Sequence, residues 1–133
     1  MSKTKIALIQ MKMSSDPKRN RDDALSKIKL AVNKGAKIVC LPELFLTKYF
    51  CQSEEHKNFN YAEGIPGPST DFFSIISKKF KIILIFSLFE KKTKGLYHNS
   101  SVVLDEKGKI LGKYRKMHIP DDPQFYEKFY FTP

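Results

Sequence analysis

Tryptophan is missing from the 133 residues, cysteine occurs twice and histidine three times. Cys40 and Cys51 stand outside any paired metal-ligand spacing, and His56, His98 and His118 are scattered along the chain, which argues against a disulfide framework and against a zinc site. No apolar run reaches the roughly 18 residues that a membrane helix needs. The start MSKTKIALIQ lacks the apolar core of a signal peptide. A soluble, cytoplasmic protein with no membrane partner is therefore expected. Acids are also scarce, 14 against 24 basic residues, for a net charge of +10. Such an excess suits a nucleic-acid or anionic-surface binder. The lysines, however, are spread over every segment, and the aromatic and glycine pattern of an RNA-binding sheet is missing. The surplus is expected to be a solvated basic surface, without nucleic acid as a partner. Internal repeats and low-complexity segments are absent as well.

What is present is globular. Apolar residues make up 41% of the chain, enough for one domain with a core of useful size. Lys5 to Met11 form a nearly continuous apolar run, as in a strand covered on both faces. Asp16-Pro17 marks a helix start, with Leu25, Ile28 and Val32 at helical spacing up to Gly35 as the C-terminal cap. A second strand is expected over Ala36 to Leu41. Strand, helix, strand in this order implies parallel pairing through a right-handed crossover. The turn GIPGPST at 64–70 precedes a second helix, capped by Ser69 or Thr70 and with Phe72, Phe73, Ile76 and Phe80 on its apolar face. KIILIFSLFE at 81–90 is the strongest strand signal, followed by the basic turn KKTKGLY. His98 to Leu104 and Lys109 to Lys116, joined by DEKG, predict a hairpin. MHIPDDPQFYEKFYFTP, with three prolines, predicts an ordered loop.

In α/β sheets functional groups collect where strands end and loops begin, and Glu43 stands at such an end. On local sequence alone such a lone acid after a strand is more often a solvated loop residue. Lys116 lies in the basic cluster KGKILGKYRK, where spacing does not separate it from Lys113, and Glu127 has Lys128 beside it.

Three segments in order, PELF at 42–45, KYRKMHIP at 113–120 and FYEKFYFTP at 125–133, resemble the nitrilase superfamily of carbon-nitrogen hydrolases. Their extended forms, PELFLTKYFCQ and KYRKMHIPDDPQFYEKFYFTP, most resemble N-carbamoylputrescine amidases. The resemblance implies an α/β chain forming the N-terminal portion of a four-layer α-β-β-α sandwich. It implies a Glu, Lys, Cys triad in which Glu43 is the general base, Lys116 the lysine and Glu127 an assisting carboxylate. The reaction implied is hydrolysis of N-carbamoylputrescine to putrescine, carbon dioxide and ammonia, with no metal and no organic cofactor. Related readings are a beta-ureidopropionase or an omega-amidase, and from another class a noncatalytic basic binding module. A cationic substrate amine calls for acids, for which Asp121, Asp122, Glu54 and Glu55 have the right sign. Full-length relatives are expected to form homo-oligomers.

In the same pattern the nucleophilic cysteine follows a further strand, beyond the matched segments. Cys40, inside KIVCLP, is expected to be a small buried hydrophobe, and Cys51 to belong to the pocket surroundings; neither is assigned as nucleophile. Residues 1–133 are thus expected to be an incomplete hydrolase domain, lacking the thiol, inactive alone, and with a sheet edge and an apolar face uncovered.

Overall fold

Asp16 accepts a hydrogen bond from the Lys18 amide at 2.9 Å, and Pro17, which has no amide hydrogen to lose, opens helix α1 (Pro17–Asn33). The helix ends where Gly35 adopts φ +86°, a conformation natural to glycine. Its buried stripe is Ala24, Ile28 and Ala31, which faces the sheet. The computed structural model from which these features come describes residues 3–133.

The sheet has five strands in chain order: β1 (Ile6–Leu8), β2 (Ile38–Cys40), β3 (Ile83–Thr93), β4 (Leu96–Leu104) and β5 (Ile110–Arg115). The first three are parallel, as a β-α-β chain requires, and the last three are antiparallel. Helix α2 (Pro68–Phe80) makes the second crossover, and a short helix α3 (Glu127–Tyr130) lies near the end of the described chain.

Alternation along the strands sorts the side chains to two faces. Val39, Leu84, Phe86, Leu88, Val102 and Leu104 are buried against α1 and α2, with Phe45 and Phe73 filling the space between. Each such large side chain contributes on the order of 1.5–3 kcal/mol by leaving water. The opposite face carries Ile38, Cys40, Ile83, Ile85 and Val103, only half-buried, with Ile6 59% and Leu8 81% exposed. At one end that face is roofed by an aromatic cluster of Phe50, Phe89, Tyr130 and Phe131, joined by Leu44 and Cys51.

Several expectations are corrected. β1 is three residues long and covered on one face only, because both helices pack on the same side of the sheet. β3 runs past Glu90 to Thr93 and β4 begins at Leu96, so the basic segment is mostly strand and the turn is reduced to Lys94-Gly95, with Gly95 at φ +80°. Gly67, not Ser69 or Thr70, stands at the cap position of α2. The free amides there are met from elsewhere: Glu63 accepts from the Ser69 amide at 2.7 Å, and the Thr70 hydroxyl accepts from the Gly67 amide at 2.6 Å. The final segment is a loop as far as Tyr126 and then turns into α3.

The outer turn between β4 and β5 is tied to α2. Ser74 donates to the Gly108 carbonyl at 2.6 Å, and a β-carbon at position 108 would lie 2.5 Å from the Ser74 carbonyl oxygen. Only glycine, here at φ +80°, allows that approach.

Candidate active site

Leu41 still donates to the Ile85 carbonyl at 2.9 Å, but Pro42 has no amide hydrogen, so the parallel ladder stops there. Two residues on, Leu44 takes φ +48° and its amide donates to the Ser87 hydroxyl at 2.7 Å. This turn sends Leu44 into the aromatic cluster and Phe45 into the helix-side core, leaving Glu43 at the strand exit on the opposite face. From α1, buried Asn20 clasps the same loop, donating to the Leu46 carbonyl at 2.9 Å while also bonding Ser14.

Lys116 follows β5, and its amide extends the ladder by donating to the Asn99 carbonyl at 2.9 Å. Its ammonium lies 2.8 Å from Glu127 Oε2 and 3.3 Å from Glu43 Oε1. Glu43 Oε1 also accepts from Asn99 Nδ2 at 2.6 Å, and Glu127 Oε1 accepts from the Tyr49 hydroxyl at 2.8 Å. The three residues singled out from the sequence are thereby brought into one hydrogen-bonded chain, Asn99–Glu43–Lys116–Glu127–Tyr49. Their exposures are graded: the Glu43 side chain is 57% exposed, Lys116 31% and Glu127 4%.

Glu127 can be buried because the roof above it is held firmly. Tyr126 donates to the Cys51 carbonyl at 2.8 Å, and the Tyr130 hydroxyl donates to the Ser53 carbonyl at 2.6 Å while accepting from Asn58 and from the Glu55 amide. Tyr130 packs edge-on to Phe50, with ring centroids 4.9 Å apart, a favourable arrangement for two aromatic quadrupoles.

Strand alternation resolves the two lysines that spacing could not. Lys113 and Arg115 lie on the helix side, where they reach buried Glu90 at 2.6 Å and 2.7 Å. Lys116 lies with Tyr114 on the open side, where a cavity of about 330 Å³ is bounded by Cys40, Glu43, Ser87, Asn99, Tyr114 and Lys116 among others.

The charges are two carboxylates around one ammonium. Burial disfavours the charged form of Lys116, but the hydrogen bond to Glu127 and the nearby Glu43 charge outweigh it and raise its pKa above the ordinary lysine value. The Tyr49 hydroxyl is raised by burial, by its bond to Glu127 and by the surrounding negative charge, which keeps it a donor.

Burial and then the charge of Glu127 outweigh the opposing charge of Lys116 and, with a smaller push from Glu43, raise the Cys51 thiol to about 12. At pH 8 such a thiol stays protonated, and the side chain is also inaccessible. Cys40, expected to be buried, is instead half-exposed on the cavity wall, because its position on β2 faces away from the helices. Iodoacetamide at pH 8 is thus expected to label Cys40 and spare Cys51 in the folded chain, as peptide mass spectrometry can measure. Equal labelling of both would contradict the burial of Cys51.

None of Asp121, Asp122, Glu54 and Glu55 lines the cavity. Glu55 is engaged with Lys57 and Ser53, Asp121 lies 3.9 Å from Lys128, and Glu54 and Asp122 are exposed. Tyr49 and Asn99 were not foreseen. Neither has a local signal; each meets its carboxylate only through the fold. Among the described residues no group of three or more His, Cys, Asp and Glu side chains could hold a metal ion, and no helix is long and apolar enough to cross a membrane.

The same fold occurs in known proteins. A crystal structure of a carbon-nitrogen hydrolase from Helicobacter pylori G27 superposes with a TM-score of 0.91 at 47% identity, covering 96% of this chain and 44% of that one. A citrullinase of Francisella tularensis is 37% identical over all of this chain and 46% of its own length. An N-carbamoylputrescine amidase of Oryza sativa subsp. japonica is 38% identical over 99% of this chain and 44% of its own. The chain thus spans less than half the length of these relatives. Residues 5–133, which include Glu43, Lys116 and Glu127, match the family described as Carbon-nitrogen hydrolase, and this match makes the chain a member of that family, within the nitrilase superfamily.

Proposed function

We propose that these residues supply the base, the lysine and the assisting carboxylate of a thiol-dependent hydrolase that cleaves a ureido group on an alkyl chain, with N-carbamoylputrescine as substrate. The observation that carries the proposal is the Lys116 ammonium held between Glu43 and Glu127 beside an open cavity.

A thiol of ordinary pKa is mostly protonated at neutral pH and needs a base in hydrogen-bond reach. Glu43, the most exposed of the three groups, takes that proton. The thiolate attacks the ureido carbon, and the oxyanion that forms is stabilised by Lys116, whose ammonium is already fixed and needs no reorganisation. The C–N bond breaks as the amine leaves with the proton from Glu43. Glu43 then takes a proton from water, whose oxygen attacks the carbamoyl thioester; the sulfur leaves with that proton as the thiol, and the carbamate released falls apart to carbon dioxide and ammonia. Glu127, held by Tyr49, orients the ammonium throughout.

Neither Cys40 nor Cys51 is the nucleophile in this reading: Cys51 is sealed and protonated, and the family pattern places the attacking cysteine after a further strand, beyond the matched segments, rather than within β2 where Cys40 lies. The thiol comes from a segment outside residues 1–133, and these residues alone do not turn over. Similarity to both a citrullinase and an N-carbamoylputrescine amidase favours the ureido group as the shared feature and leaves the far end of the substrate to distinguish them.

Ammonia release should therefore be measured from N-carbamoylputrescine, citrulline and N-carbamoyl-β-alanine, and from an ω-amide such as a monoamide of a dicarboxylic acid. It should be measured for the chain alone and for the chain joined to its thiol-bearing segment. The joined protein is expected to prefer N-carbamoylputrescine, and Glu43→Gln to lower its kcat by about 10²–10⁴. Turnover by residues 1–133 alone would refute the missing thiol, and a preference for another of the four compounds would reassign the substrate.

A further inference from the structure

Glu43 has little to hold it locally. It leaves a strand at a proline, its side chain is more than half exposed, and an exposed Glu–Lys contact at 3.3 Å is weak. Ordering such a long side chain costs rotamer freedom that this contact does not offset. Something else must fix it beside Lys116.

Asn99 has the required properties. It is 4% exposed, sits inside β4 opposite Phe89, and its carbonyl accepts the Lys116 amide at 2.9 Å. Its Nδ2 donates to Glu43 Oε1 at 2.6 Å. The orientation of the amide follows from chemistry, because an ionised carboxylate only accepts and so must face the NH₂ end. One residue therefore bonds the base through its side chain and the lysine through its backbone. Among the described residues, both donors to Glu43, Asn99 and Lys116, sit on Oε1 and none on Oε2.

We infer that Asn99 is the positioning residue of this site: its amide holds Glu43 against Lys116 and, by occupying Oε1, leaves Oε2 as the oxygen that receives the thiol proton. The inference rests on the hydrolase reading for its chemical meaning, but the positioning is testable without turnover. An amide suits the task because, unlike a serine or a histidine, it neither reaches too short nor changes charge across the working pH range.

Lys116 reports on the arrangement. It is faced by Glu43 from the exit of β2 and by Glu127 from α3, with Tyr49 bonded to Glu127 and Cys51 also close to these charges. Glu43 is one of the groups that raise its pKa. If Asn99 is what keeps Glu43 in place, removing the amide frees the carboxylate into solvent and Lys116 loses that contribution.

The experiment is a ¹³C NMR titration of the Lys116 side chain in the 133-residue chain, for the native protein, Asn99→Ala, Glu43→Gln and the double variant. Asn99→Ala is expected to lower the Lys116 pKa as far as Glu43→Gln does, with no further fall in the double variant. Both single variants keep the backbone carbonyl at 99, so protection of the Lys116 amide from exchange should persist and certify the fold. Should Asn99→Ala not fold, Asn99→Leu, which keeps the branching at Cγ without a donor, takes its place. A Lys116 pKa that stays at its native value in the Asn99 variant while Glu43→Gln lowers it overturns the inference, and so does a native value in both. No substrate is consumed in this titration, so its failure is distinct from failure of the hydrolysis assay.

Discussion

Lys116→Met is expected to lower the unfolding free energy of the chain by about 3–5 kcal/mol, because it strips a buried carboxylate of its cation. Glu127 is only 3% exposed, and among the described residues the ammonium at 2.8 Å is its one charged partner in reach. After the substitution the Tyr49 hydroxyl still donates to Oε1, but Oε2 faces a thioether. The neutral double variant, Lys116→Met with Glu127→Gln, should recover most of the loss, since an unpaired amide costs far less to bury than an unpaired charge. Urea denaturation at pH 7 measures both. A loss below 1 kcal/mol for the single variant would mean that water reaches Glu127 and that the site is looser than its geometry implies.

The second large effect belongs to the other face of the sheet. Burial alone would raise the Glu90 carboxyl, but hydrogen bonds from Arg115, Lys113 and Ser100 outweigh it and hold it down at about 2, from an ordinary 4.5. A carboxyl whose folded pKa is depressed stabilises the native state fully above its unfolded pKa. That contribution is lost as the pH falls through the folded value. Here the window runs from about pH 4.5 down to about 2, and the contribution is on the order of 3 kcal/mol. It is a sizeable part of the 5–15 kcal/mol typical of a domain. Unfolding of the native chain followed from pH 6 to pH 2 should show this loss, and Glu90→Gln should flatten the curve in that interval. An unchanged slope in the variant would place the acid sensitivity in other carboxylates.

Much of this was legible in the sequence because it is local. Asp16-Pro17 and Gly35 mark the ends of α1, the DEKG turn closes the β4–β5 hairpin, and the apolar run before Pro42 announces a strand whose exit carries Glu43. Alternation could even have separated Lys113 from Lys116, since residues three apart on a strand face opposite ways. What stayed hidden depends on contacts between distant segments. Tyr49 meets Glu127 across 78 positions and Asn99 meets Glu43 across 56, and neither partner leaves a trace in the residues around it. Glu127 beside Lys128 has the look of a surface acid; only the aromatic roof built by Phe50, Phe89 and Tyr130 makes it a buried one. The coverage of β1 is hidden in the sequence for the opposite reason. An apolar run states that its side chains avoid water, not which layer excludes it.

The division of β5 between two faces also guards against misalignment. Lys113 and Arg115 can reach Glu90 only in the observed pairing, in which Ser100 sits opposite Arg115 and Ser101 opposite Tyr114. Slipping the strand by one residue inverts every side chain, which would turn both Lys113 and Arg115 away from Glu90 while carrying Lys116 away from Glu43. The carboxylate on the far side of the sheet thus penalises the very error that would disarm the lysine, so proofreading of the hairpin and assembly of the reactive cluster are a single event.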